Sequence, residues 1–413
     1  MPESQGLSIF NLSENHCIPH FQPIINVVNG TIMGYEVLGR YSQPGSLVCQ
    51  SLGQFFHGVT DQSRIQKIDF IIREKALHKA KFVEANTRLF LNTLPVAFSQ
   101  FKEDNFGDGI YSILKLTEKY QFPRDKIILE ITEDEFEEDI TALLKITDRL
   151  RGYGFKIAID DLGVGFSNLE RIGYLHPDII KVDIRIMRES LQMNSFKQVL
   201  HAIADMSEKL GSQLLFEGIE TEEEVNLALS MGANLLQGFY FSKPQPEFQE
   251  KQKFQDNMSE ILEKFSGMRF IQILESIQKQ QIIVEELKEI FKGISAGFNG
   301  KLHEYLTKVL PSLPERIVQI IVCDLHGYQL TPTYFKNNGS SWQEKERDIG
   351  NNFAWKPFFF KHKAEGLHFN QKWGVTEPFH DIKTGGQYVI FTFSLAENVI
   401  LIAKVDWESD LID

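Results

Sequence analysis

Residues 155–161 read FKIAIDD, an apolar run of strand length closed by two adjacent aspartates. The same sentence recurs on both sides of it. MGYEVL (33–38), RLFLN (88–92) and KIILE (126–130) precede it, and DIIKVD (178–183), QLLFEG (213–218) and NLLQGFYF (234–241) follow. Runs this continuously apolar suit strands buried on both faces, as in a parallel sheet covered by helices. Helical stretches lie between them: KIDFIIREKALHKAKF, DITALLKITDRLRGYG, SFKQVLHAIADMSEKLG and TEEEVNLALSMG, three ending at glycine. Repeated β-then-α units predict an α/β fold with a (β/α)8 TIM-like barrel over residues 1–246, an open doubly wound sheet being the alternative.

The remaining chain is built differently. All four tryptophans, Trp342, Trp355, Trp373 and Trp407, lie near the C-terminal end. Residues 247–292 read as a connecting helix in which Phe254, Met258, Ile261, Phe265 and Met268 step by four and three, one apolar seam. That seam serves either a helix laid on its own barrel or a two-helix homodimer. Residues 293–413 alternate apolar and polar in RIVQIIVCD and NVILIAKVDW, and Gly385-Gly386 marks a hairpin turn, so a small α+β domain is expected.

Composition narrows the function. Hydrophobic residues are 42% and charged residues 24% of 413, which excludes disorder as the dominant state. The net charge of −13, from 43 basic and 56 acidic residues, argues against polymeric nucleic acid as a partner. Cys17, Cys49 and Cys323 match no disulfide or zinc spacing. The opening MPESQGLSIFNLSENH lacks a signal peptide's basic end and apolar stretch, and no apolar run nears the roughly 20 residues of a membrane span. A cytoplasmic protein with no membrane partner is expected.

In a barrel of this kind the residues closing the strands share one rim, where active sites are built. Those residues are Glu36, Asn92, Glu130, Asp160, Asp161, Lys181, Glu217 and Gln237. Singly, a strand-end acid is an ordinary helix cap or surface charge. Together, acids at close range repel unless cations lie between them. Carboxylates with one Asn carbonyl, and no His or Cys, suit Mg2+ or Mn2+ more than Zn2+. Adjacent aspartates let one carboxylate bridge two ions, the arrangement used in phosphodiester hydrolysis. Lys181, held by these acids, would position or deprotonate the attacking water.

These residues resemble the EAL-domain cyclic-di-GMP phosphodiesterases over about Phe10 to Pro246. The motifs are YEVLGR, LFLNTLP, LEITE, IAIDDLGVGFSNL, IIKVD, FEGIET and LLQGFYFSKP, in the family's order. The resemblance implies an EAL-type barrel with an atypical first strand, which opens cyclic-di-GMP to linear pGpG with Mg2+ or Mn2+. It assigns Glu36, Asn92, Glu130 and Asp160 to a first metal, and Asp160 and Asp161 with Glu217 to a second. Lys181 becomes the base or water-positioning group, with Glu220 and Gln237 completing the water and metal network. Gln22, Leu38, Arg40 and Asp183 match positions lining the dinucleotide. Glu133 anchors the DLGVGFSNL loop, which in the family couples dimer contacts to the metals. Val37, Gly39 and Asn234 depart from the pattern without removing a ligand.

The last region resembles the PAS-like or Cache-like sensor domains that follow some EAL barrels through a long helix, with Trp355, Phe358, Phe359 and Phe360 either core or the lining of a pocket for an unknown small molecule. A regulated phosphodiesterase is thus expected, with a non-catalytic cyclic-di-GMP-binding signalling protein as the alternative. A barrel glycosidase is disfavoured, because residues 1–341 contain no Trp on which a sugar would stack.

Overall fold

This computed structural model describes residues 13–42, 49–53, 62–81, 83, 87–93, 108–132, 140–162, 169–298, 300–336, 341–381 and 384–407. The chain forms two compact units, Met1–Met268 and Arg269–Asp413.

The first unit contains β1 (Cys17–Asn26), β2 (Ile32–Ser42), β3 (Cys49–Ser51), β4 (Arg88–Asn92), β5 (Ile127–Thr132), β6 (Lys156–Leu162), β7 (Ile179–Val182), β8 (Gln213–Phe216) and β9 (Leu235–Leu236). Their order is β1-β9-β8-β7-β6-β5-β4-β2-β3, and β1 also pairs with β2, so eight strands close a barrel and β3 hangs on β2. β2 and β4 through β9 run parallel, whereas β1 is antiparallel to both neighbours. This is the barrel and the atypical strand the sequence led us to expect. Two details differ. Glu36 lies within β2 instead of closing it. The NLLQGFYF run supplies strand only at Leu235–Leu236, because the chain turns at Gly238. A Cβ there would stand 2.0 Å from the Ile219 carbonyl oxygen, so the close backbone approach requires glycine.

The barrel interior is layered. Ile24, Phe90, Ile128, Ala158, Ile179, Leu215 and Leu235 form a buried apolar floor, separate from the larger core between strands and helices. Side chains two residues apart on a strand face the same side. Two residues past each floor residue of the parallel strands stand Asn92, Glu130, Asp160, Lys181, Glu217 and Gln237, and two before Ile24 on the antiparallel β1 stands Gln22. The floor therefore dictates which polar side chains meet above it.

The connecting helix runs from Gln255 to Gly297. Phe254, Met258 and Ile261 are buried in the barrel unit's core, with Phe265 packed against it. This settles the seam's early part as a helix laid on its own barrel. Further along, Ile283, Leu287, Phe291 and Ile294 enter the second core.

That second unit carries β10 (Ile317–Asp324), β11 (Thr333–Phe335), β12 (Gln343–Lys345), β13 (Trp373–Val375), β14 (Phe379–His380), β15 (Gln387–Ala396) and β16 (Val399–Asp406). They form an antiparallel sheet ordered β12-β11-β10-β16-β15-β13, with β14 on β15 across the turn containing Gly385. One face packs on the connecting helix, where Phe291 stacks on Phe391 at 5.5 Å. The other face buries Ile321, Cys323, Ile400 and Ile402 beneath Phe359 of the helix Pro357–Phe369. Phe359 is thus core, while Trp355 and Phe360 are exposed. Among the described residues no helix is long and apolar enough to cross a membrane.

Candidate functional site

The polar layer divides into a hydrogen-bonded group and an ion-paired one. In the first, Glu36 accepts from Asn92 Nδ2 at 3.2 Å and from Gln237 Nε2 at 2.5 Å. Gln237 Nε2 also reaches Gln22 Oε1 at 3.3 Å, and Gln22 Nε2 donates to the Ser242 carbonyl at 3.2 Å. In the second group Lys181 Nζ lies 2.9 Å from Glu130 Oε1, 2.9 Å from Asp160 Oδ1 and 3.0 Å from Glu217 Oε2.

Lys181 is 1% exposed. Burial alone would drive its ammonium toward neutrality, but Glu130, Glu217, Glu36 and Asp160 hold its pKa well above the ordinary lysine value. Burial pushes the Glu130 carboxyl well up, against the opposing pull of Lys181. It lifts Glu217 to about 8, again offset in part by Lys181. In this state the lysine is charged and faces three acids at 2.9–3.0 Å.

Among the described residues no three His, Cys, Asp or Glu side chains form a ready-made cation cage. Lys181 Nζ stands where three of the carboxylates converge. The donor set nonetheless fits hard divalent cations. It consists of carboxylates and amides, and both Glu130 oxygens and Gln237 Oε1 are buried without an aligned hydrogen bond.

Other expected residues divide by position. Arg40 is half-buried and donates to the Gly39 carbonyl at 3.0 Å, and Leu38 is partly exposed on the same strand. Asp183 caps the helix Ile184–Gln192, its Oδ1 accepting from the Arg185 backbone at 2.6 Å and from Arg185 Nε at 2.8 Å. Glu220 is exposed and pairs with Arg188 at 3.1 Å. Glu133, the Asp161 side chain and the glycines of the DLGVGFSNL loop lie outside the described residues.

The departures from the motif have local accounts. Val37 is buried in the outer core, away from the polar layer. A Cβ on Gly39 would meet Leu52 Cδ1 at 2.9 Å, so buried Leu52 occupies the space of a bulkier residue. Asn234 Oδ1 accepts from the Leu214 backbone at 2.7 Å, which an aspartate would do equally.

Sequence reasoning missed Arg73, on the helix Gln62–Ala80. Its Nη2 donates to the Asn92 carbonyl at 2.7 Å, and its Nε lies 2.8 Å from Asp69 Oδ2. The available signal was a basic residue directly after Ile72 in an apolar helix face, with an acid four residues before it.

A model of the EAL domain matches residues 8–244, and one of an EAL-domain associated signalling protein domain matches residues 248–409. The EAL-domain containing protein YkuI of Bacillus subtilis is 26% identical over 94% of this chain and 94% of its own. The crystal structure of that protein with the substrate c-di-GMP and calcium is 25% identical, covers 98% of this chain and 100% of that one, and superposes with a TM-score of 0.86. The cyclic di-GMP phosphodiesterase RocR of Pseudomonas aeruginosa is 25% identical over 55% of this chain and 57% of its own length.

Proposed function

Because the chain belongs to the EAL-domain family, we propose that it hydrolyses cyclic-di-GMP to linear pGpG with Mg2+ or Mn2+, under control of its C-terminal region. The observation that carries this is the polar layer over the apolar floor, in which three carboxylates meet one buried lysine beside the Glu36 cluster. In this reading Glu36, Asn92, Glu130 and Asp160 hold one cation, and Asp160, Asp161 and Glu217 a second. When bound, such ions supply Lewis acidity at the phosphodiester and activate water. Lys181 holds the attacking water as a donor, with Gln237 and Glu220 completing the network and Glu133 anchoring the loop. Gln22, Leu38, Arg40 and Asp183 line the dinucleotide, and a guanidinium suits phosphate oxygens through its forked donors.

The second unit, in the same reading, is a PAS-like or Cache-like sensor for a small molecule. A cavity of about 540 Å3 between its sheet and Pro357–Phe358 supports this. A homodimer is proposed as well, through Met268 of the seam and the exposed stripe of Phe270, Ile271, Leu274 and Ile277 beyond it, since Phe254, Met258, Ile261 and Phe265 are spent on the barrel.

Incubating the full chain with cyclic-di-GMP and Mg2+ or Mn2+ tests the reading. We expect pGpG, abolished in folded Glu36→Ala and Asp160→Ala variants. Retention of cyclic-di-GMP without pGpG would replace the enzyme by a binding protein.

A further inference from the structure

We propose that Arg73 is a positioning residue for the cation-binding end of the barrel and acts through Asn92, an inference that rests on the functional reading above. Asn92 is the last residue of β4, and its carbonyl belongs to the same planar peptide unit as the Thr93 N–H. The structure holds that plane from both sides. Arg73 Nη2 donates to the Asn92 oxygen at 2.7 Å, and the Thr93 nitrogen donates to the Glu130 carbonyl at 3.0 Å. The Thr93 hydroxyl donates to that same carbonyl at 2.5 Å. With the plane fixed, the Asn92 side chain is directed at Glu36, to which Nδ2 donates at 3.2 Å. Its Oδ1, which accepts from no described residue, is thereby left for a cation.

Arg73 itself is 4% exposed. Burying a guanidinium is costly unless it is paired and hydrogen-bonded. Its position follows Ile72, on a helix whose Ile65, Ile68, Ile72 and Ala76 are in the core. Asp69 Oδ2, 2.8 Å from Nε, supplies the counter-charge but sits off the line of a hydrogen bond. Burial raises the Asp69 carboxyl and Arg73 pulls it back. The better-aligned bond of the guanidinium is thus the one to Asn92, the strand-end residue that reaches Glu36.

The test uses the metal-stripped full chain, with Mn2+ affinity by calorimetry, thermal unfolding and cyclic-di-GMP turnover. Arg73→Met keeps the length and removes the donor. It should weaken Mn2+ binding about 10- to 100-fold and lower kcat, with KM nearly unchanged. Arg73→Lys should recover part of both, and Asp69→Asn should show a smaller loss in the same direction. A folded Arg73→Met protein with wild-type Mn2+ affinity and kcat would overturn the inference. If Arg73→Met does not fold, unchanged Mn2+ affinity in Asp69→Asn and Arg73→Lys overturns it instead. Wild type that binds no Mn2+ and cuts nothing would fell the functional reading itself, whereas a working wild type beside an unaffected variant fells this inference alone.

Discussion

Lys181 and His362, one buried basic side chain from each unit, fare oppositely. Lys181 in the barrel is 1% exposed and His362 in the second unit 2%. Three carboxylates stand within 3.0 Å of the lysine. The histidine meets only hydroxyls, Ser394 Oγ 3.0 Å from Nε2 and Thr392 Oγ1 3.0 Å from Nδ1. The Thr392 hydroxyl donates to the Gly374 carbonyl at 3.3 Å, so it accepts from Nδ1–H, and Ser394 donates to a bare Nε2. Burial pushes both toward neutrality. The lysine stays charged, and the histidine falls to about 4. Both are nearly closed to water, so the neighbours' charge decides the outcome.

Replacing Lys181 by Met should break this contrast most visibly. Without metal, Glu130, Asp160 and Glu217 would keep their burial and lose their counter-charge, a cost of about 3–5 kcal/mol when one partner of a buried ion pair is removed. Urea unfolding of the barrel in EDTA reads that loss, and Mn2+ should restore part of it. Turnover should fall at least about 100-fold. An unchanged midpoint in EDTA would mean that the carboxylates do not depend on the lysine.

His362 predicts a pH dependence confined to the second unit. Its folded pKa of about 4 lies below the ordinary 6.5, so the unfolded chain takes up the proton first. Stability from this residue is complete above about pH 6.5 and is lost as pH falls toward 4, on the order of 3 kcal/mol in all. His362→Gln should flatten that slope in denaturant titrations reporting on the second unit. An equal slope in both proteins would remove His362 as its source.

The smallest effect sharpens the comparison at the connecting helix. Leu274→Asp should weaken self-association by about tenfold, because a charge is costly in a dry seam. Light scattering decides it, and a monomeric wild type ends the proposal.

How much of this was legible follows from how local each signal is. The polar layer was readable because IILE, IAID, LLFE and LLQ each place a polar residue two positions after a floor residue, and strand periodicity does the rest. The antiparallel β1 was not among the seven runs, since CIPHFQPIIN interrupts its apolar text with His20 and Gln22. Arg73 escaped because its bond to Asn92 joins residues 19 positions apart in different elements. The helix seam was ambiguous for a physical reason: an apolar stripe looks the same whether a barrel or a second copy covers it. The lone His362 gave no sign of its partners, which lie on β15.

The connecting helix, finally, is held at both ends. Met258 and Ile261 anchor it in one core, and Leu287 and Phe291 in the other, while Phe270, Ile271, Leu274 and Ile277 between them are exposed. Ordinary helices fray from their termini. Here the weakest turns of a single chain are the central ones, so amide exchange should be fastest in the middle and slow toward either end. Such an inverted profile makes those turns a gauge of association: whatever covers the stripe will slow exchange there before it alters either core.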